Sequence, residues 1–375
     1  MSSFNVVQVI PALESGGVER GTIDVANYLA ELKIHNSIIS NGGLLENELN
    51  QEFIDHFKLP VHSKNPLVYF NLAKKIQAYI QIKKINLVHV RSRAPAWIVN
   101  MMNKKNYKSI STFHNIYSGD FFLKKMYNQS LAKMDYIISI SDFVKDEIIK
   151  KYTINPQKIS TIYRGVDTDY FIDQVSDKDL QNFLIKFNIN KEKKILLYPA
   201  RLTAWKGQIE FLTVARKITK DNLIIYFVGD TKNTSFYNHL QKKISAMSLK
   251  NKCKILGNLT TKELKIMYFI SDLIISTPKK PEGFGRIISE SLSMKKMVLA
   301  FNFGGVKDQL NKLDSIYKAE PLNYHIIDQK INTILSLSEE EKNNLSQKGR
   351  EHVVKFFSKN EMVYNYKNFY ESKSI

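Results

Sequence analysis

The decapeptide Pro281-Glu282-Gly283-Phe284-Gly285-Arg286-Ile287-Ile288-Ser289-Glu290 sets two carboxylates eight residues apart around a Gly-Phe-Gly corner. The corner follows an apolar run at 273–276 and opens a helix expected to begin near Arg286. Glycine lets a backbone approach a ligand without steric cost. A helix N-terminus adds N–H donors and partial positive charge, which suit phosphate or sugar hydroxyls. With a helical rise of about 1.5 Å per residue, Glu290 stands roughly 9–12 Å from the corner. That is too far for two carboxylates attacking one bond, and it suits a grip on two parts of an extended ligand. A solvated loop Glu followed by a surface helical Glu would show the same letters.

Arg201 and Lys206, in Ala200-Arg201-Leu202-Thr203-Ala204-Trp205-Lys206-Gly207-Gln208, follow the apolar run at 195–198 and precede a helix. Two cations at a strand's carboxyl end suit a diphosphate, since Arg grips oxygens in a fork and Lys acts as a point charge. Surface cations of a basic chain are the alternative. His114 closes Ser111-Thr112-Phe113-His114-Asn115, and His89 sits at a similar strand end in Val88-His89-Val90. A strand end faces the ligand side of such a sheet, although a lone His often has a structural role. Arg164, in Tyr163-Arg164-Gly165-Val166-Asp167, ends the last strand of the first half. After the first strand, Gly16-Gly17 precedes a helix without the Gly-x-Gly-x-x-Gly fingerprint, so it is either a phosphate nest or only a turn. Walker, His-Glu-x-x-His, EF-hand and Gly-x-Ser-x-Gly motifs are absent from the sequence.

These residues hang on a regular alternation. Apolar runs at 6–10, 37–40, 87–90, 109–113, 136–140 and 159–163 are separated by helical patterns, and a second series follows at 195–198, 223–228, 254–256, 273–276 and 297–301. Continuous apolar runs indicate strands covered on both faces, hence parallel sheets. The expected fold class is α/β with two doubly wound, Rossmann-like domains facing across a cleft, ligands lying beyond the strands' carboxyl ends. Residues 1–172 form the first domain, completed by a C-terminal helix over 356–375, and 173–355 form the second. The 375-residue length fits two cores.

One cysteine, Cys253, excludes an internal disulfide and a cysteine-cluster metal site. Neither a signal peptide nor an 18-residue apolar run is seen, so the expected location is cytoplasmic, with peripheral attachment to the inner face of the plasma membrane. The net charge is +19 and is unevenly spread. Between Lys58 and Lys133 stand 14 Lys or Arg against the single acid Asp120, interleaved with Phe70, Tyr79, Trp97, Tyr107, Phe121, Phe122 and Tyr127. Such a surface suits an anionic membrane, a phosphorylated acceptor or nucleic acid.

Taken in order, these motifs resemble the family 4 retaining glycosyltransferases of the GT-B fold, over nearly the whole chain. The Glu-x7-Glu segment from Glu282 to Glu290 is the specific part. Arg201…Lys206, Arg164-Gly165-Val166-Asp167, Gly304-Gly305 and the Gly16-Gly17 loop support it. The resemblance implies that Arg201 and Lys206 neutralise a donor diphosphate and Glu290 holds the ribose; Gly16, Gly17 and Arg164 are expected among the donor-binding residues, the helix N-terminus at Gly16-Gly17 helping to stabilise the diphosphate. Glu282, Gly283, Phe284 and Gly285 would meet the donor sugar, and His114 would lie near the transferred sugar. Arg164 stands where many members have Asn, and Arg286, replacing a frequent apolar residue, could alter sugar preference. The partners so implied are a nucleotide-sugar donor and a glycolipid, lipopolysaccharide-type or oligosaccharide acceptor, with the basic region docking on an anionic membrane and no nucleic acid bound. No cofactor and no metal are expected. The rival readings are a nucleotide-sugar epimerase or polymer phosphorylase of the same fold, and a non-catalytic protein binding lipid or RNA.

Overall fold

A computed structural model describes residues 4–103, 106–117, 119, 121–218 and 222–374; Lys104, Lys105 and Asp120 of the basic region lie outside them. The chain forms two compact units, Met1–Gly165 with Lys359–Ile375, and Val166–Ser358.

The first unit carries seven strands, β1 (Val6–Val9), β2 (Asn36–Ser40), β3 (Ile54–Lys58), β4 (Leu87–Val90), β5 (Lys108–Phe113), β6 (Tyr136–Ser139) and β7 (Ile159–Thr161). They make one parallel sheet in the order β3-β2-β1-β4-β5-β6-β7. Helices α1 (Gly17–Glu31), α2 (Pro66–Ile82), α3 (Arg93–Asn100), α4 (Phe122–Gln129) and α5 (Asp142–Tyr152) form the crossovers. The apolar central strands are buried throughout, as a parallel sheet requires. Strand order reverses between β1 and β4, and a doubly wound sheet opens a crevice at that switch point.

The second unit repeats the plan. Its strands are β8 (Lys194–Pro199), β9 (Leu223–Val228), β10 (Cys253–Gly257), β11 (Leu273–Ser276), β12 (Val298–Phe301) and β13 (Lys318–Ala319), in the parallel order β10-β9-β8-β11-β12-β13. Its helices are α6 (Asp177–Phe187), α7 (Gln208–Lys217), α8 (Thr234–Ala246), α9 (Thr261–Ile270), α10 (Arg286–Ser293), α11 (Gly305–Leu310), α12 (Ile327–Ser336) and α13 (Glu339–Phe357). Here the switch point falls between β8 and β11.

Two strands have no counterpart among the expected runs. β3 reads Ile-Asp-His-Phe-Lys and is only half buried, because it is an edge strand with one face toward solvent. β13 is two residues long. The unit boundary also differs from 172/173. Residues 166–173 belong to the second unit because its groups hold them: Val166 N–H donates to Phe357 O at 2.8 Å, and Ser293 Oγ donates to Phe171 O at 2.7 Å. Arg350 donates to Thr168 O at 3.3 Å. Phe356 and Phe357 likewise end α13, with Phe357 packed 5.8 Å from the Phe284 ring.

The last helix, α14 (Lys359–Lys373), returns to the first unit. Its Met362, Val363, Tyr366, Phe369 and Tyr370 bury among Phe4, Val6, Val25, Leu29, Leu87, Ile110, Ile138 and Ile162. Each such side chain contributes on the order of 1.5–3 kcal/mol. Its phenols also satisfy two buried strand-end residues. His89 bonds Tyr370 Oη and Thr112 Oγ1, both at 2.7 Å. Arg91 donates to Tyr366 Oη at 2.8 Å and to Gln8 Oε1 at 2.9 Å. His89 is therefore a packed histidine, held neutral by burial and by neighbouring Arg91 and His114.

Candidate functional site

In the second unit three strand-to-helix loops meet at the switch point. Tyr198, at the end of β8, is fully buried and donates to Lys206 O at 2.6 Å. Gly207 then turns the chain into α7 with a left-handed φ of +85°. A Cβ there would stand 2.2 Å from Thr277 O, so this position needs glycine for both conformation and space. Lys279 N–H, after β11, donates to Trp205 O at 2.7 Å. The loop after β12 joins through a parallel bridge between Glu282 and Gly304, and Gly305 N–H donates to Glu282 O at 2.9 Å. A Cβ on Gly305 would meet Gly283 O at 2.3 Å. These close backbone approaches are the reason for glycine in Gly304-Gly305, and a left-handed φ of +86° is the reason at Gly285.

The side chains set by these loops are strongly polar for their burial. Lys206 is 7% exposed, its Nζ 2.7 Å from Glu282 Oε1 and 4.5 Å from the centre of the Trp205 ring. Arg201 is exposed, and its guanidinium has no partner among the described residues. Phe284 is buried, its carbonyl taking a bond from Gln309 Nε2. Gly285, in the left-handed region, starts α10. One turn further, Glu290 is 6% exposed. Tyr268 Oη, from α9, donates to its Oε2 at 3.0 Å, and Arg286 reaches its Oε1 at 3.0 Å. Burial raises the Glu290 carboxyl above its usual range, while Arg286 and Tyr268 pull the other way. The unit thus brings together Arg201, Lys206, Glu282, Gly283, Phe284, Gly285, Arg286 and Glu290 on loops at the carboxyl ends of β8 and β11. Two cations after β8, one free and one paired, and a buried carboxylate in the α10 helix after β11 suit a polyanion and hydroxyls respectively.

The remaining expected residues lie in the first unit, and each unit stands on its own geometry. Gly16 precedes α1 in extended conformation (φ −99°, ψ 164°), and Gly17 is already helical. A nest needs adjacent right- and left-handed residues, so Gly16-Gly17 forms no nest here and leaves a plain helix N-terminus. The Arg164 guanidinium donates to Gly17 O, tying β7's exit to that turn. His114 follows β5; both ring nitrogens are shielded from solvent and neither has a partner among the described residues. Burial, then the charges of Arg164 and Arg91, holds its pKa well below the ordinary value, so the ring is neutral.

Sequence reasoning missed three contributors. Tyr268 anchors Glu290 from a neighbouring helix, and Tyr324 Oη fixes Thr277 O at 2.9 Å. Gln309 clamps both Phe284 O and Gly285 O while accepting from Ser289 Oγ. No local spacing encodes these contacts, since 20 or more residues separate most of the partners. Among the described residues, no group of three or more His, Cys, Asp or Glu is placed to hold a metal ion, and no helix is long and apolar enough to cross a membrane.

The model of Glycosyltransferase Family 4 matches residues 15–170, and that of Glycosyl transferases group 1 matches residues 180–352. A glycosyltransferase from Rickettsia africae ESF-5 is 37% identical over 98% of both chains, with a TM-score of 0.88. The O-antigen chain mannosyltransferase RfbU of Salmonella typhimurium is 27% identical over 183 residues; the match spans 46% of this chain and 46% of that relative, so about half of each. At 17% identity the Anabaena Alr3699/HepE structure, solved with UDP and glucose, shares the fold, with a TM-score of 0.80 over 98% of this chain and all of that one.

Proposed function

The chain belongs to the family 4 glycosyltransferases of the GT-B fold, and from that premise we propose a retaining transfer of sugar from a nucleotide-sugar donor to a hydroxyl of a glycolipid or lipopolysaccharide-type acceptor. The observation that carries the reading is Lys206, a lysine buried at the switch point and aimed, with Glu282, into the loops after β8 and β11.

In this reading the second unit holds the donor. Arg201 and Lys206 face the diphosphate, Glu290 accepts from the ribose hydroxyls, and Glu282 with the 283–285 backbone meets the sugar. Phe284 and Gly285 have their carbonyls turned to Gln309, so their share is the shape of the loop and the N–H groups opening α10. Arg286 already bonds Glu290 and would share its ribose-facing oxygen, which makes it a determinant of donor fit. The first unit presents the acceptor hydroxyl near His114, and Gly16, Gly17 and Arg164 are proposed as donor-binding residues, through the N–H groups at the N-terminus of α1 and the guanidinium that braces that turn. The bond from sugar C1 to the diphosphate oxygen breaks, and the acceptor oxygen bonds to C1 on the same face. The acceptor proton passes to the departing phosphate. Negative charge grows on the diphosphate, and preorganised cations that meet it supply about 10²–10³ in rate per group. In this reading Arg201 and Lys206 supply the positive charge that a metal ion could otherwise bring to the diphosphate. Glu282 and Glu290 are not a glycosidase pair, which would flank one bond at about 5–10 Å.

The RfbU name supports a surface-polysaccharide acceptor, and the basic residues of the first unit support work at the cytoplasmic face of an anionic membrane. The test is release of nucleoside diphosphate from a panel of UDP-, GDP- and ADP-sugars, with and without extracted bacterial glycolipid. Glycolipid-dependent release of one nucleotide, lost in Lys206→Ala, is the expected result. Epimerised donor formed without acceptor would assign the chemistry of the epimerase instead, and no turnover or binding of any donor would remove the transferase reading.

A further inference from the structure

Two donors of unequal character hold Glu290. Arg286 sits one turn earlier on the same helix, with its side chain 44% exposed. An exposed pair within one helix fixes a side chain only weakly. Tyr268 is fully buried on α9, and its phenol donates to Glu290 Oε2 at 3.0 Å. A hydrogen bond to a charged acceptor away from water is among the stronger kinds. Burial, then the Glu290 charge, holds the Tyr268 phenol protonated, so it remains a donor at neutral pH. Tyr268 therefore sets the orientation of the carboxylate, and the exposed Arg286 is the partner able to move.

Tyr268 is itself set by a third element. Phe171, 3% exposed, places its ring 6.2 Å from the Tyr268 ring at 64°, an edge-on contact that favours one ring orientation. The backbone of Phe171 is tied in turn to the end of α10, since Ser293 Oγ donates to Phe171 O at 2.7 Å, and Arg350 reaches the same oxygen at 3.3 Å. The contacts close on themselves: Glu290 on α10, Tyr268 on α9, Phe171 on the 166–173 segment, and Ser293 on α10 again. An ionised carboxylate offers about four acceptor sites. Tyr268 takes one on Oε2 and Arg286 one on Oε1, which leaves about two for a ligand. Acceptor sites of fixed orientation in that number match the two neighbouring hydroxyls of a ribose.

We propose that Tyr268 and Phe171 are positioning residues for the donor ribose: the Tyr268 phenol fixes the Glu290 carboxylate so that its remaining acceptor sites take both ribose hydroxyls, and Phe171 fixes Tyr268. The proposal rests on the ribose role of Glu290 and adds which residues make that site select ribose over deoxyribose. A tyrosine that only packed α9 would lower stability when altered and leave the selection untouched.

The test is calorimetric titration of the full chain with UDP, GDP and ADP and with their 2′-deoxy counterparts, on the parent, Glu290→Gln, Tyr268→Phe and Phe171→Leu. Tyr268→Phe keeps the ring and removes the hydroxyl, and Phe171→Leu keeps an apolar side chain and removes the ring contact. For the base it binds, the parent is expected to favour ribose at least about tenfold, as a hydrogen bond to a charged group does. Glu290→Gln and both ring variants should bring that ratio to about threefold or less. In nucleotide release the ring variants should raise the donor KM and leave kcat within about twofold. Thermal unfolding on the same preparations shows that each variant is folded. A ribose preference lost in Glu290→Gln but kept in Tyr268→Phe, even with a lowered Tm, would overturn the positioning role and leave the ribose role of Glu290 standing. Loss in Tyr268→Phe alone would remove Phe171 from the proposal. A parent that binds nucleotide with no ribose preference would remove the ribose role of Glu290, and this proposal with it.

Discussion

The Lys206–Glu282 pair allows stability and catalysis to be separated in one experiment. The two charged groups lie 2.7 Å apart with side chains 9% and 16% exposed. Removing one partner of a buried pair costs about 3–5 kcal/mol, because the other charge is left uncompensated. The residual exposure of Glu282 places Lys206→Met near the lower end, about 3 kcal/mol. A unit of this size loses about 2–4 °C per kcal/mol, so Tm should fall by about 6–12 °C. Replacing both charges, in Lys206→Met/Glu282→Gln, removes the stranded carboxylate and should return most of that loss. Catalysis should not follow. If Lys206 meets charge growing on a leaving diphosphate, the double variant remains about 10²–10³ below the Glu282→Gln single variant in kcat/KM. Thermal unfolding by circular dichroism and nucleotide release below the donor KM give the two readouts. Recovery of kcat/KM together with Tm would refute a catalytic Lys206 and leave it a structural cation.

Burial holds the Glu290 carboxyl above its ordinary value of 4.5. The folded chain then keeps a proton that the unfolded chain has lost, and stability falls as pH rises from about 4.5 through the raised pKa. Glu290→Gln should therefore be at least as stable as the parent at pH 7 while binding donor about 10–100-fold more weakly by calorimetry; lower Tm with unchanged affinity would contradict the assignment. Gly305→Ala drives a methyl against Gly283 O. It should cost about 1–3 kcal/mol in thermal unfolding and raise the donor KM, and a parent-like KM would show that the 282–285 loop does not shape the site. Ending the chain after Ser358 removes the partners of His89 and Arg91 and uncovers the α14 core. Loss of near-ultraviolet circular dichroism and of soluble protein is expected, and a cooperative transition retained by the first unit would show that α14 is dispensable.

What the sequence determined by itself is set by period and local chemistry. Runs such as Leu223–Val228 and Val298–Phe301 are continuous, short and apolar, the pattern expected of a parallel strand covered on both faces, so the two α/β series were legible. The Arg201…Lys206 and Glu282…Glu290 spacings were legible as well, because each motif lies on one loop and its following helix. β3 was not, since an edge strand alternates and reads as a loop. The turn at Gly16-Gly17 was ambiguous, since two glycines permit many conformations and only the folded chain selects the extended one. Tertiary structure alone decided that Lys206 and Glu282 form a pair, that Tyr268 and Gln309 support the site, and that His89 is spent on Tyr370 while His114 is not. Each depends on strand order. Placing β8 beside β11 brings together loops that are more than 70 residues apart in the chain, and no local pattern carries that neighbour relation.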